Sequence, residues 1–226
     1  MIVAVSTRIT EESNYYEIRD SISHDLIKGF ELNGYIPLLI PNSSIEPKQY
    51  YKKIKFNLLI LSGGDDLIVE NKITNINKEK HKRDLVEIKF LKFCIAKNIP
   101  VIGICRGMQL INIFFDGSIT SLNNKNHTNT NHKVKIEKDA KSLFPSKVFF
   151  VNSFHENVVL KRDISSQFLP LMYAEDESVE AFVHKKYPIL GVMFHPERGF
   201  KDNVIKNYFK DLNDISKFDK SQLLNS

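Results

Sequence analysis

Short apolar runs alternate with amphipathic stretches through the first half of the chain. The runs that predict buried strands are residues 2–6, 36–40, 58–61 and 99–104. Between them, helical periodicity predicts helices over residues 21–32, 81–97 and 109–115. In the second of these helices, one face is expected to carry Leu85, Ile88, Leu91 and Ile95. Continuous apolar strands separated by helices predict an α/β protein with a mostly parallel central sheet covered on both faces.

The second half of the chain is richer in strands. The candidate strands are residues 148–151, 158–160, 168–173, 179–183 and 189–194. Residues 123–131 are polar and predict a loop. A last helix, capped by Asp202 or Asn203, is predicted to run to about residue 212. We therefore expect one catalytic domain over residues 1–215, followed by a polar tail over residues 216–226.

One turn in this pattern carries candidate chemistry. The strand ending at Ile104 runs into Gly103-Ile104-Cys105-Arg106-Gly107, and an amphipathic helix follows. This Gly-x-Cys-x-Gly turn has the form of a nucleophile elbow, in which a strained strand-to-helix turn presents one side chain to the solvent. The thiol would lie at a helix N-terminus, where the dipole favours a thiolate. Cys105 is therefore the predicted nucleophile.

A second apolar strand is followed by a candidate general base, His195, and a candidate carboxylate, Glu197. The segment from Gly191 leads into His195-Pro196-Glu197. Because parallel strands end at one edge of the sheet, His195 is expected close to Cys105. The sequence thus predicts a triad in which His195 is general base and acid and Glu197 orients its ring.

The oxyanion formed in such a reaction needs backbone N–H donors. One predicted donor is the N–H of Arg106, the residue after the nucleophile. The other is expected from Gly63-Gly64, which follow a buried strand and allow close approach of the backbone to a substrate.

Composition narrows the class of protein further. The 226 residues carry a formal charge of +5, but the lysines are scattered, so a solvated surface is preferred to nucleic-acid binding. Two cysteines exclude a disulfide framework, and the sequence shows neither a signal-peptide core nor a membrane span, so we expect a cytoplasmic protein. His127 and His132 stand near one another without further ligands at suitable spacing, so no metal is expected. The chemistry requires no organic cofactor.

Four blocks of sequence together resemble a known superfamily. They are Leu61 to Asp66, Gly103 to Gln109, Val151 to His155 and Gly191 to Glu197. In this order they resemble the class I glutamine amidotransferase-like superfamily, whose fold is three-layered and flavodoxin-like. Arg83-Asp84 and Glu180-Ala181 are similar to its γ-glutamyl hydrolase branch, which includes γ-glutamyl-γ-aminobutyrate hydrolases.

The resemblance implies hydrolysis of a γ-glutamyl amide through a glutamyl thioester. By motif, Gln109 would hold the glutamyl group of the small-molecule substrate. The walls of its pocket would be Asn152, Ser153, Phe154 and His155. His155 has no role in the triad by this resemblance.

The opening segment supports a narrower resemblance. Residues 6–9 and 15–20 resemble small stand-alone members associated with surface-polysaccharide synthesis. One such activity removes glutamate from a γ-glutamyl cytidine-diphosphate amidate and leaves a nucleotide phosphoramidate for capsule decoration. Arg8, Arg19 and the Arg106 side chain would then contact an anionic leaving group. The alternative for Arg8 and Arg19 is local ion pairing with Glu or Asp.

Two other functions stay open at this point. One is a glutaminase subunit that passes ammonia to a separate synthase, a partner that the hydrolase does not require. The other is a noncatalytic binding protein that retains the fold. Cys94 and the phenylalanine pairs 114–115 and 149–150 are expected to pack in the core.

Overall fold

A computed structural model describes residues 1–43, 46–64, 67, 78–122, 128–137 and 148–198. The strands are β1 (Ile2–Ser6), β2 (Arg8–Glu11), β3 (Ile18–Ser21), β4 (Ile36–Ile40), β5 (Leu58–Leu61), β6 (Val101–Ile104), β7 (Thr120–Ser121), β8 (Thr128–Ile136), β9 (Val148–Phe154), β10 (Asn157–Val158), β11 (Phe168–Ala174), β12 (Val179–His184) and β13 (Ile189–Val192). The helices are α1 (His24–Leu32), α2 (Pro47–Lys53), α3 (Lys78–Lys97) and α4 (Arg106–Phe114). The predicted last helix, the polar tail and the Asp65-Asp66 pair lie outside the described residues.

One nine-stranded sheet has the order β4-β1-β5-β6-β13-β12-β11-β8-β9. Strands β4, β1, β5, β6 and β13 pair in parallel. From β13 onward, every pairing to β9 is antiparallel. The predicted α/β class, with parallel core strands and a strand-rich second half, is confirmed.

The parallel strands are covered on both faces. Val3, Val5 and Ile60 face one apolar cluster, which also holds Phe30 of α1. Ala4 and Leu59 face a second cluster, to which α3 and α4 contribute. Successive residues of a strand point to opposite faces, so a strand buried on both sides must be apolar throughout. This is why the strands read as unbroken apolar runs.

Three of the four residues predicted on one face of α3 face the second cluster: Leu91 is fully buried, and Ile88 and Ile95 are partly buried against it. Leu85 is 48% exposed, whereas Val86, Phe90 and Cys94 are buried against the sheet. Polar residues in the first half of α3, Arg83, Asp84 and Glu87, are buried as well. The helical period therefore identified the element and most of its inward face, and it failed at Leu85.

Three further expectations are corrected. Helix α1 begins at His24 rather than residue 21, because Ser21 pairs with Arg8 in a β2–β3 hairpin. Residues 128–131 belong to strand β8 and not to the predicted loop. Phe150 is 57% exposed and lies outside the core.

Four adjacent parallel strands end at the same edge of the sheet. Beyond their carboxyl ends lie Arg8 after β1, Gly63 after β5, Cys105 after β6 and His195 after β13. This edge is where ligands bind in open α/β sheets.

Candidate active site

Cys105 occupies a strained turn between β6 and α4. Its backbone φ is 50°, in the left-handed region that residues with a Cβ rarely adopt. The backbone is fixed by hydrogen bonds on both sides: the N–H donates to Val192 O (2.8 Å), and the Cys105 carbonyl accepts from Gln109 N (3.1 Å). The tight bend requires Gly103, where a methyl group would lie 2.6 Å from the Gly107 backbone. The structure therefore has the geometry of the predicted elbow.

His195 and Glu197 form a buried pair beside Cys105. The His195 Nδ1 atom lies 2.8 Å from Glu197 Oε1. Burial alone would lower the pKa of His195, but hydrogen bonds to Cys105 and Glu197 raise that pKa to about 9. The imidazole therefore carries a proton at neutral pH.

Asn152 holds the backbone of His195 in place. Its Oδ1 atom accepts from His195 N (2.8 Å), and its Nδ2 atom donates to His195 O (2.7 Å). The same Nδ2 group donates to Arg198 O (2.7 Å). Motif matching predicted Asn152 as a pocket wall and did not indicate this positioning contact, because the contact depends on the antiparallel half of the sheet.

Gly63 is required by close packing at the site. A methyl group at this position would lie 2.6 Å from His195 Cε1 and 3.5 Å from Cys105 Cβ. The Gly63 carbonyl accepts hydrogen bonds from Arg8 Nε (3.0 Å) and Arg83 (3.1 Å). Because N–H and C=O point in opposite directions across a trans peptide, the Gly64 N–H points away from both guanidinium groups.

A cavity of about 370 Å³ opens over these groups. It is lined by Arg8, Gly64, Cys105, Arg106, Gln109, Phe154, His155, Glu156, His195 and Arg198. Gln109 donates from Nε2 to Asn157 O (2.8 Å), and His155 Nδ1 lies 3.1 Å from the same oxygen. Phe154 lies edge-on to the His195 ring, with 5.7 Å between centroids.

The structure does not bring every predicted site residue to this cavity. Ser153 is fully buried and contacts His155, with 3.1 Å between Oγ and Nε2. Arg19 forms ion pairs with Glu12 (2.8 Å) and Glu17 (2.5 Å) in the β2–β3 hairpin. This is the local ion pairing given above as the alternative to a leaving-group contact.

The Arg106 side chain, expected at the leaving group, is engaged in ion pairs in this structure. Its guanidinium is buried against Asp84 and Glu87 of α3. Glu87 also accepts from Arg83 Nε (3.0 Å). Arg83 donates in turn to Ser62 O (2.7 Å), so the network links α3, the elbow and the Gly63 turn. The sequence indicates Arg83-Asp84 only through a family resemblance, which does not predict this network.

Among the helices within the described ranges, none combines the length and apolar character that a bilayer crossing demands. The same ranges contain no group of three or more His, Cys, Asp or Glu side chains able to hold a metal ion. His127 lies outside them, and His132 Nε2 lies 3.4 Å from Glu180 Oε1.

Known proteins resemble this chain over most of its length. The family model described as Peptidase C26 matches residues 1–197. A γ-glutamyl-CDP-amidate hydrolase of Campylobacter jejuni is 32% identical, over 88% of this chain and 90% of that protein. A glutamine-hydrolysing GMP synthase subunit from Methanococcus aeolicus is 30% identical, over 76% and 82% of the two chains. The crystal structure of a putative GMP synthase subunit from Thermoplasma acidophilum has a TM-score of 0.69 at 18% identity, covering 100% of this chain and 98% of that one.

Proposed function

The chain belongs to the peptidase C26 family, and we propose that it hydrolyses the C–N bond of γ-glutamyl amides. Its resemblance to the γ-glutamyl hydrolase branch of the class I glutamine amidotransferase-like proteins is thereby confirmed. The proposal depends above all on one observation: a buried His195–Glu197 pair with a 2.8 Å contact stands beside Cys105 in a strained turn.

In the proposed reaction, the proton of the Cys105 thiol resides on His195, and the Cys105 thiolate attacks the γ-carbonyl carbon of the substrate. The proton on His195 passes to the leaving nitrogen as the C–N bond breaks, which leaves a glutamyl thioester. Water then attacks the thioester and gives its proton to His195, and glutamate is released as the thiolate reforms. Glu197 holds the imidazole in orientation throughout.

The oxyanion would be stabilised by two backbone N–H groups. We assign these to Gly64 and Arg106, which both line the cavity. Donors fixed in advance need no reorganisation during the reaction, and removing one typically costs about 10²–10³-fold in kcat. Gln109, Phe154 and His155 would line the glutamyl pocket.

The leading substrate is a γ-glutamyl-linked nucleotide amidate, with γ-glutamyl-CDP-amidate as the first choice. The relative that is 32% identical bears this substrate in its name and matches most of this chain. Arg8, which lines the cavity, would contact the anionic leaving group. In this proposal the reaction takes place in the cytoplasm and serves capsular phosphoramidate synthesis.

A second candidate is a glutaminase subunit that supplies ammonia to a separate synthase. The similarity to a subunit of GMP synthase favours it. Glutamate release from glutamine and from γ-glutamyl-CDP-amidate, measured on the same preparation, separates the two. A preference for glutamine that appears only with a synthase present would favour the glutaminase.

Replacing the nucleophile tests the enzyme assignment itself. We expect Cys105→Ala to lower kcat on the best γ-glutamyl amide by about 10⁴-fold, because no other group would form the thioester. Cys94→Ala, at the other of the two cysteines, is the matched control and should retain turnover. Unchanged turnover in Cys105→Ala would show that Cys105 is not the nucleophile and would overturn the assignment of hydrolysis to this site.

A further inference from the structure

A second cavity adjoins the catalytic one. Its volume is about 510 Å³, and it shares Phe154 and Arg198 with the wall of the catalytic cavity. The rest of its lining comes from strands β8 and β9: Asn129, Thr130, Asn131, Phe150 and Asn152. The two spaces therefore meet at a common wall next to Phe154, whose ring contacts His195.

One face of the β8–β9 pair carries an alternating aromatic and amide pattern. Phe150, Asn152 and Phe154 are two residues apart on β9, so their side chains share a face. Asn131 is paired with Asn152, and Lys133 with Phe150, on the same face of β8. Phe150 and Phe154 are 57% and 37% exposed, although both are large apolar side chains. Exposed rings beside amide groups are typical of surfaces that stack and hydrogen-bond planar bases.

The backbone of β8 is distorted at this face. Asn129 has a φ of 54° and lies at an irregularity in the register between Thr128 and Thr130. A bulge of this kind redirects a side chain, and such distortions are frequent next to ligand sites. Asparagine is among the residues that adopt this conformation most readily.

Positive charge lies at both ends of the aromatic face. The Arg198 guanidinium carbon is 4.8 Å from the Phe154 ring centroid, and Lys133 Nζ is 5.8 Å from the Phe150 centroid. Within the described ranges, no carboxylate is paired with Arg198. A guanidinium between the catalytic cavity and the aromatic face suits a ligand with a phosphate group between its scissile amide and a planar ring.

From these contacts we propose that the Phe150–Phe154 face is a subsite for the nucleobase end of the leaving group, with Arg198 as a phosphate contact between the two cavities. This inference rests on the proposed function. The catalytic cavity alone is near the lower limit for a ligand-binding pocket, about 300 Å³, so a nucleotide leaving group must extend beyond it. The adjoining cavity is the space into which it extends.

The test begins with binding, which does not require turnover. Calorimetric titration of Cys105→Ala protein with CMP, ribose 5-phosphate and inorganic diphosphate separates the base from the phosphate. We expect CMP to bind at least about tenfold more tightly than ribose 5-phosphate. Adding Phe150→Ala should weaken CMP binding by about tenfold, because one stacking partner is lost. Phe150→Tyr keeps a ring and should restore most of the affinity.

Tyr16→Ala is the matched control, since Tyr16 is an exposed ring on the β2–β3 hairpin, with 88% exposure. It should leave CMP binding unchanged. Equal binding of CMP and ribose 5-phosphate, or no effect of Phe150→Ala, would overturn the subsite. The absence of an effect of Phe150→Ala on CMP binding is also expected if this face instead binds a partner protein.

A kinetic comparison distinguishes failure of the subsite from failure of the proposed function. In otherwise wild-type protein, Phe150→Ala should reduce kcat/KM for γ-glutamyl-CDP-amidate about tenfold more than for glutamine, mainly through KM. If the wild-type protein hydrolyses the amidate and this ratio is unchanged, the subsite is wrong and the function stands. If the wild-type protein does not hydrolyse the amidate, the proposed substrate fails, whatever CMP binding shows.

Discussion

At the scale of single residues, the site is defined by how tightly its reacting groups are held. His195 is fixed through its side chain by Glu197 and through its backbone by Asn152. Cys105 is fixed by the elbow, and Gly63 packs against both. Reacting groups positioned in advance avoid an entropic cost in the transition state.

The proton on His195 predicts a pH dependence. The pKa of His195 is raised from the ordinary value of 6.5 to about 9. The imidazole is therefore protonated below about pH 9 and loses its proton as the pH rises through that value. Because that proton is needed by the leaving nitrogen, kcat/KM should fall on the alkaline side. Glu197→Gln removes a stabilising carboxylate, so the imidazole titration followed by NMR should move to lower pH.

Glu31→Gln is the control for this titration, because Glu31 is exposed on α1. We also expect Glu197→Gln to reduce kcat by about 10²–10⁴-fold, since the ring would lose its orientation. An unchanged imidazole titration in Glu197→Gln would contradict the role given to this carboxylate.

The residues proposed to react could be selected from the sequence because their signals are local. A glycine on each side of Cys105 and the run from His195 to Glu197 are short patterns with a direct geometric meaning. The contacts of Asn152 with the His195 backbone were not predicted, and Arg198 was not among the candidate residues. Their contacts join β9 to the segment after β13, and no local pattern reports which distant backbone an amide will meet.

At the scale of elements, α3 has two functions that its sequence pattern does not separate. Phe90 and Cys94 pack it against the sheet, while Arg83, Asp84 and Glu87 are buried at its start behind the elbow. Burying these charges on the inward side turns Leu85 toward the solvent. The predicted apolar stripe holds at Ile88, Leu91 and Ile95 and fails at Leu85, because buried charge can be paired within the molecule.

Two alanine variants of α3 test this orientation. Phe90 is 1% exposed and packs near Tyr50 and Phe56. We expect Phe90→Ala to lower the free energy of unfolding by about 3–5 kcal/mol, through lost burial and the cavity left behind. Leu85→Ala should change it by less than about 0.5 kcal/mol. Denaturant unfolding measures both variants, and a larger loss for Leu85→Ala than for Phe90→Ala would contradict this orientation.

At the scale of the whole molecule, the parallel and antiparallel halves of the sheet make different contributions. The parallel half supplies Cys105, His195 and the Gly63 turn, and the antiparallel half supplies Asn152 and the aromatic face. The alternation of apolar runs predicted the first half well. Strand β8 was not predicted, because it contains Asn129 and Asn131, and such residues are typical of loops.

The buried network behind the elbow predicts how the whole fold responds to acid. Burial would raise the pKa of Glu87, but Arg106 and Arg83 lower it below the ordinary value of 4.5. A lowered folded-state pKa adds stability above about pH 4.5, and this stability is lost as the pH falls through the folded-state value. Glu87→Gln should lower the free energy of unfolding by about 3–5 kcal/mol at pH 7, because two guanidinium groups lose their common partner.

The difference between wild type and Glu87→Gln should shrink as the pH falls below about 4.5. Denaturant titrations at about pH 7, 5 and 4 measure it. Glu46→Gln is the comparison, since Glu46 forms an exposed ion pair with Lys89 and should change stability by about 0–1 kcal/mol. A constant difference for Glu87→Gln across this range would contradict the assigned role.

The pairing of β6 with β13 also determines when a newly made chain becomes reactive. Cys105 leaves the ribosome long before His195 and Glu197, because about ninety residues are translated in between. Strand β13, which lies between β6 and β12, is also translated late, and contacts between residues distant in sequence form slowly. A nascent polypeptide therefore exposes a lone thiol without its proton partner, and hydrolysis begins only when almost the entire catalytic core has been synthesised.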